Sequence, residues 1–145
     1  MGRCSDTSPV TPDEEFELVR KTWADFSSAD MDAMLERLHP EIRIVPFGAA
    51  LQGRSYEGRD GVRRWFEDEI STTWERFETI PEAHRDAGAQ LVVYGHWSAR
   101  SLSSGVEISM PATWVVEFRD GLISRWETFT DRDDAHRAAG LVEAD

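Results

Sequence analysis

The sequence predicts an α+β fold in which N-terminal helices pack into a strongly curved, mostly antiparallel sheet and leave a mostly apolar pocket between the two. Three observations carry this reading. Apolar residues recur at helical spacing between residues 16 and 38, and again between residues 62 and 70. Four runs of strand character follow one another from about residue 78, divided by turn signals. Between Val106 and Arg119 the residues separate by parity into an apolar face and a polar one. Helices segregated from a hairpin-rich sheet define the α+β class.

Taken in order, residues 1–12 are rich in Ser, Thr, Pro and Asp and read as a flexible tail ahead of one domain at 13–141; residues 142–145 form a short C-terminal tail. Pro12 and the acids Asp13 and Glu14 suit the first turn of a helix. Phe16, Val19, Trp23 and Phe26, with Leu18, form its inner stripe. Ser27-Ser28-Ala29 interrupts the pattern, and Asp30 caps a second helix carrying Met31, Met34, Leu35 and Leu38 inward. His39-Pro40 stops that helix. Residues 41–47 read as a short strand, 48–55 as a loop and Tyr56-Glu57-Gly58 as a turn. A third helix opens at Arg59-Asp60-Gly61, presents Val62, Trp65, Phe66 and Ile70, and runs to about Phe77. Strands then fall at 78–85, 90–102, 106–119 and 122–130, with turns at 86–89, 103–105 and Asp120-Gly121. A short helix capped by Asp131 ends at Gly140.

Composition excludes several classes of function. The net charge is −12, from 28 acidic and 16 basic residues, and such a surface repels nucleic-acid phosphates and anionic lipid heads. Nucleic acid and membrane are therefore not expected as partners. The single cysteine, Cys4, allows no internal disulfide and no thiolate zinc site. Four histidines without an i, i+4 pair give no metal signal, His84 and His136 read as surface residues, and no cofactor is expected. No apolar run is long enough to cross a bilayer, and residues 1–12 lack the apolar core of a signal peptide, so the expected location is cytoplasmic.

Strand parity assigns the pocket wall. Val106, Ile108, Met110, Ala112, Trp114, Val116 and Phe118 are all apolar and face the concave side, while the odd positions are largely polar. Carried through the Asp120-Gly121 hairpin, this parity turns Trp126, Thr128 and Thr130 inward, and Arg125, Glu127 and Phe129 outward. In the preceding strand the same reasoning places Val92, Tyr94, His96, Ser98 and Arg100 inward, with Trp97 as the competitor for that side.

These residues carry a resemblance. The run Tyr56-Glu57-Gly58-Arg59-Asp60-Gly61-Val62-Arg63-Arg64-Trp65-Phe66 resembles the turn-plus-helix signature of SnoaL-like domains. Ser104-Gly105-Val106-Glu107 and Phe118-Arg119-Asp120-Gly121-Leu122-Ile123 are similar to that family's two hairpins, and Asp131 to Leu141 to its terminal helix. The resemblance implies the cone of the nuclear-transport-factor-2-like (cystatin-like) fold, whose members include polyketide cyclases, ketosteroid isomerases, limonene epoxide hydrolases and scytalone dehydratases. Others bind ligands or proteins without chemistry, and many pair as homodimers through the outer sheet face. Fold alone does not choose among these.

The family's catalytic groups transfer poorly to this chain. The base, tyrosine and aspartate that the isomerase resemblance implies fall near Val45, Thr22 and Trp114, none of which matches. The hydrolase positions fall on His96-Trp97-Ser98 and Thr128, without acidic partners. Two catalytic candidates remain: His96, an imidazole suited to general base work near neutral pH, and Glu127, which would face inward if the register slipped by one. Arg100 would meet a ligand anion at the pocket mouth. Trp23, Tyr94, Ser98, Met110, Trp114, Trp126 and Thr128 complete the expected ligand-binding set, whereas Trp65 and Trp74 read as core. Aromatic walls suit a small apolar or aromatic molecule.

Three functions remain open at this level. One is cofactor-independent acid/base chemistry of the isomerase, cyclase or dehydratase kind. Another is ligand binding without turnover. The third is a dimeric interaction module using an outer face that bears Val93, Trp97, Val115 and Phe129.

Overall fold

The computed structural model describes residues 11–28, 30–45, 55–129 and 131–141. Most of the expected N-terminal tail with Cys4, residues 46–47 of the first expected strand, the 48–54 loop, Thr130 and the C-terminal tail lie outside the described residues.

Helix α1 spans Pro12–Ser27. Its entry is a reciprocal cap: the Thr11 side chain accepts from the Glu14 backbone at 3.1 Å, and the Glu14 carboxylate accepts from the Thr11 backbone at 2.9 Å. Val19, Thr22, Trp23 and Phe26 form its buried stripe. Asp30 caps α2, Met31–Glu36. Strand β1 is Leu38–Val45 and β2 is Tyr56–Glu57, which leads into α3, Gly58–Trp65. The chain then widens into a π-helical turn at Phe66–Ile70 and closes with the single turn α4, Ser71–Thr73. Strands β3 (Trp74–Asp86), β4 (Gln90–Ser101), β5 (Glu107–Arg119) and β6 (Leu122–Phe129) form a meander, followed by α5, Arg132–Ala138.

The six strands form one curved, unclosed sheet in the order β2-β1-β6-β5-β4-β3. Every pairing is antiparallel except β1 with β6, which is parallel. The expected α+β class and mostly antiparallel curved sheet are therefore present. The main core, including Trp23, Phe26, Met34, Ile44, Val62 and Trp114, lies between the first three helices and the inner face of the sheet. No helix among the described residues is long and apolar enough to cross a membrane.

Four local expectations are corrected. His39-Pro40 does not stop a helix but lies inside β1; the β1–β6 ladder is interrupted between Leu38 and Arg43, so Pro40 forfeits no ladder bond there. The third helix does not reach Phe77. Trp74 and Phe77 fit helical spacing as well as a strand, and pairing with Ser101 and Ala99 of β4 decides for the strand.

The third correction concerns β4. Leu91, Val93, Trp97 and Ala99 join the main core, whereas Val92 and Tyr94 belong to a second cluster on the other face. Val92, Tyr94, His96, Ser98 and Arg100 therefore face outward, opposite to the expected parity. The physical reason is α5. Its Ala135 and Ala139 pack on Val92 and Val115, so the outer face is itself buried there. Both faces of the strand's first half are then apolar, and alternation carries no signal.

The fourth is His136, expected at the surface. It stands on α5 and is buried, with its Nε2 at 2.8 Å from the Tyr94 hydroxyl, while the Arg132 guanidinium lies 4.6 Å over the Tyr94 ring.

Candidate functional site

Between the helical layer and the inner face of the sheet lies a cavity of about 480 Å³. The segment from α3 to α4 contributes Trp65, Glu69, Ile70 and Thr73. β3 contributes Trp74, Phe77 and Thr79, and β4 contributes Trp97. β5 adds Ile108, Met110 and Trp114, and β6 adds Trp126 and Thr128.

The wall is built from interlocked rings. Phe77 stacks on Trp97 with centroids 5.5 Å apart and planes 10° apart, and Trp74 meets Trp97 at 6.2 Å. Elsewhere on the wall, Trp65 meets the Trp126 ring edge-on at 6.2 Å. Trp23 supports this side, packed 4.5 Å from Trp114 and 5.1 Å from Trp126. Rings packed against one another have little side-chain freedom left, so the wall is rigid as well as apolar.

Few polar groups interrupt this surface. Thr73, Thr79 and Thr128 supply hydroxyls, and Glu69 is the one ionisable residue among the described lining residues. Glu69 stands in the π-helical turn, a feature that often marks a functional stretch of helix because it re-aims side chains. Among the described residues, no cluster of His, Cys, Asp or Glu is arranged to hold a metal ion.

The expected site residues divide in two. Met110, Trp114, Trp126 and Thr128 stand on the cavity wall, as expected; the register shift between Glu117 and Phe118 is what turns the last two inward. Trp23 is fully buried directly behind that wall and is not part of it. Tyr94, His96, Ser98 and Arg100 are on the outer face and line no part of the cavity. The His96 ring pairs with Glu82 at 3.2 Å, and Arg100 pairs with Glu75 and Glu107. Their inward placement is corrected for the reason given for β4. Glu127 also lies outside the cavity: it pairs with Val115 on the outer face and is held by Arg125 at 2.6 Å.

Sequence reading missed Trp65, Glu69, Trp74, Phe77, Thr79 and Trp97 as wall residues. Two of these were within reach. Glu69 is four residues after Trp65 and shares its helical face. Leu91, Val93, Trp97 and Ala99 form an unbroken apolar row, apart from Gly95, at odd positions.

With this geometry, comparison with known proteins places the chain. Residues 19–126 match the model of the SnoaL-like domain. No curated protein matches the sequence. Among solved structures, TerC co-crystallised with polyporic acid is 23% identical with a TM-score of 0.70, over 90% of this chain and 99% of its own. A Sinorhizobium meliloti protein described as a polyketide cyclase is 19% identical, TM-score 0.64, over 83% and 100%. A Mycobacterium tuberculosis protein in complex with estradiol-17beta-hemisuccinate is 14% identical, TM-score 0.67, over 81% and 94%. At these identities the likeness is one of fold.

Proposed function

The chain belongs to the SnoaL-like domain family, and from that premise we propose that it binds a small apolar or aromatic molecule in the cavity between helices and sheet. The observation that carries this reading is the aromatic wall of Trp65, Trp74, Phe77, Trp97, Trp114 and Trp126 around about 480 Å³. A volume of this order and a mainly apolar lining with a few polar groups are what small-molecule sites share. The neighbours crystallised with polyporic acid and with estradiol-17beta-hemisuccinate support the same use of the fold. The cytoplasm is the proposed location.

Fluorene is a suitable probe, because it is flat, apolar and free of hydrogen-bonding groups. Its binding is expected to quench tryptophan fluorescence and raise the melting temperature. Met110→Trp, which fills the cavity from β5, is expected to weaken that binding at least about tenfold, the value of a lost buried contact of roughly 1.4 kcal/mol. No response from the wild type, or equal binding by the variant, would overturn the reading.

Glu69 favours a second reading, proton-transfer chemistry on the bound molecule. A carboxylate beside an apolar wall is a suitable base for a carbon acid held against it. Deuterium incorporation at the α-carbon of 2-tetralone in heavy water measures this without knowledge of the natural substrate. Exchange above the buffer rate should fall by roughly 100-fold or more in Glu69→Gln, while fluorene binding persists. Exchange indifferent to the variant would leave binding without chemistry.

A homodimer through the outer sheet face is proposed on the family's behaviour. The apolar basis expected for it is reduced, since Val93 and Trp97 face inward and Val115 and Phe129 lie against the α5 cluster. What remains open on β4 and β5 is the stretch around His96, Ser98, Ser109 and Pro111. Light scattering reporting one 16.5 kDa chain rather than two would refute the pairing.

A further inference from the structure

We infer that the cavity is built for a ligand carrying a neutral oxygen acceptor, such as a ring carbonyl, and that the Thr79 hydroxyl receives it. This rests on the reading of the cavity as a binding site and specifies the chemistry of its occupant.

Thr79 is 8% exposed and stands on the cavity wall, directly across the β3–β4 ladder from Trp97. Its Oγ1 is buried and has no hydrogen-bond partner. Leaving a hydroxyl in that state costs roughly 1–3 kcal/mol, and valine would fill the same space on a strand without that cost. Elsewhere in this core the same residue type resolves the problem locally. Thr22, on α1, donates its hydroxyl to the Leu18 carbonyl at 2.7 Å. A strand offers no carbonyl one turn back, so the Thr79 hydroxyl needs a partner from the cavity side.

A threonine hydroxyl carries one donor hydrogen and two acceptor lone pairs; the donor hydrogen is the group left without use, and the ligand atom that answers it is an acceptor oxygen. Among the described lining residues there is no Lys, Arg or His to neutralise an anion. A carboxylate would enter without a counter-charge and beside Glu69, at high desolvation cost. A carbonyl or ether oxygen carries no such cost.

Fluorene and 9-fluorenone form a matched pair, alike in shape and different in one carbonyl. Wild-type protein is expected to bind fluorenone more tightly than fluorene by roughly three- to tenfold, the range of one net hydrogen bond. Thr79→Val should abolish that preference by weakening fluorenone alone, and should raise the melting temperature of the free protein. Thr79→Ser retains the hydroxyl and should retain the preference, which separates a lost hydrogen bond from a disturbed wall. If fluorene binds and fluorenone gains nothing, or if the gain survives Thr79→Val, the inference fails while the binding site stands. If neither molecule binds, the reading of the cavity fails and the inference fails with it.

Discussion

Trp23→Ala is expected to destabilise the protein by about 4 kcal/mol, the usual range for removing a fully buried large aromatic side chain. Trp23 has no solvent exposure and joins α1 to the inner faces of β5 and β6 through Trp114 and Trp126. Phe26, one helical turn on, carries the same contact forward, meeting Trp126 at 5.7 Å and stacking on Trp65 at 5.4 Å. Alanine would leave a void that these rings, fixed by their other neighbours, cannot close. Against a typical total of 5–15 kcal/mol, the loss would move the melting temperature down by roughly 12 °C and shift the urea midpoint accordingly. Trp23→Phe keeps most of the ring contact and removes the unpaired N–H, so its cost should be less than half as large. Equal losses for the two variants would mean that Trp23 acts through something other than packing.

The same cluster shows how far the sequence determines the site. The β5 faces were legible because the ladder to β4 is regular and only the inner row is continuously apolar, giving Met110, Ala112, Trp114 and Val116 without ambiguity. The two-residue hairpin carries that parity from Phe118 to Ile123. The register shift between Phe118 and Glu117 then pairs Val116 with Trp126 and Trp114 with Thr128, and so turns Trp126 and Thr128 inward, which parity through the hairpin alone does not predict. β4 was not legible, because α5 buries its outer face and Leu91, Val92 and Val93 all have zero exposure. Periodicity reports a difference in burial between two faces, and in the first half of β4 there is none. Glu69 escaped for a different reason. Helical periodicity selects apolar positions, so a carboxylate sharing their face is read as solvated. Thr79 was invisible because its side follows from its pairing with Trp97, and the sequence parity turned β4 the wrong way. The candidate bases failed for the converse reason: His96 drew notice by its chemistry, and chemistry does not fix which way a strand faces.

Gly95→Ala is expected to cost roughly 3 kcal/mol, toward the upper end for overpacking, and to disturb the cavity wall as well. Gly95 occupies the inward row of β4 between Val93 and Trp97 and pairs with Pro81. The β3 register shifts across Glu82, between Pro81 and Ala83, and the shift presses β3 against β4. A methyl at Gly95 would lie 2.0 Å from the Ile80 carbonyl oxygen, with the Ile80 carbonyl carbon at 3.0 Å and Pro81 Cα at 3.1 Å. All three atoms are backbone, so no rotamer change relieves the clash and the strand itself must retreat. Ile80 follows Thr79, and Thr79 pairs with Trp97, so that retreat separates two wall residues. The variant should therefore lose fluorene quenching beyond what its unfolded fraction explains. Gly88→Ala provides the contrast. Gly88 has φ +80° and open space where a Cβ would stand, so its cost is backbone strain of about 1 kcal/mol with no effect on the cavity. Urea unfolding of the two variants orders the effects. If Gly95→Ala proves no worse than Gly88→Ala, the close approach of β3 to β4 is not what holds the wall. If it is worse and fluorene quenching is also lost, the glycine belongs to the binding site through the backbone it allows to come near.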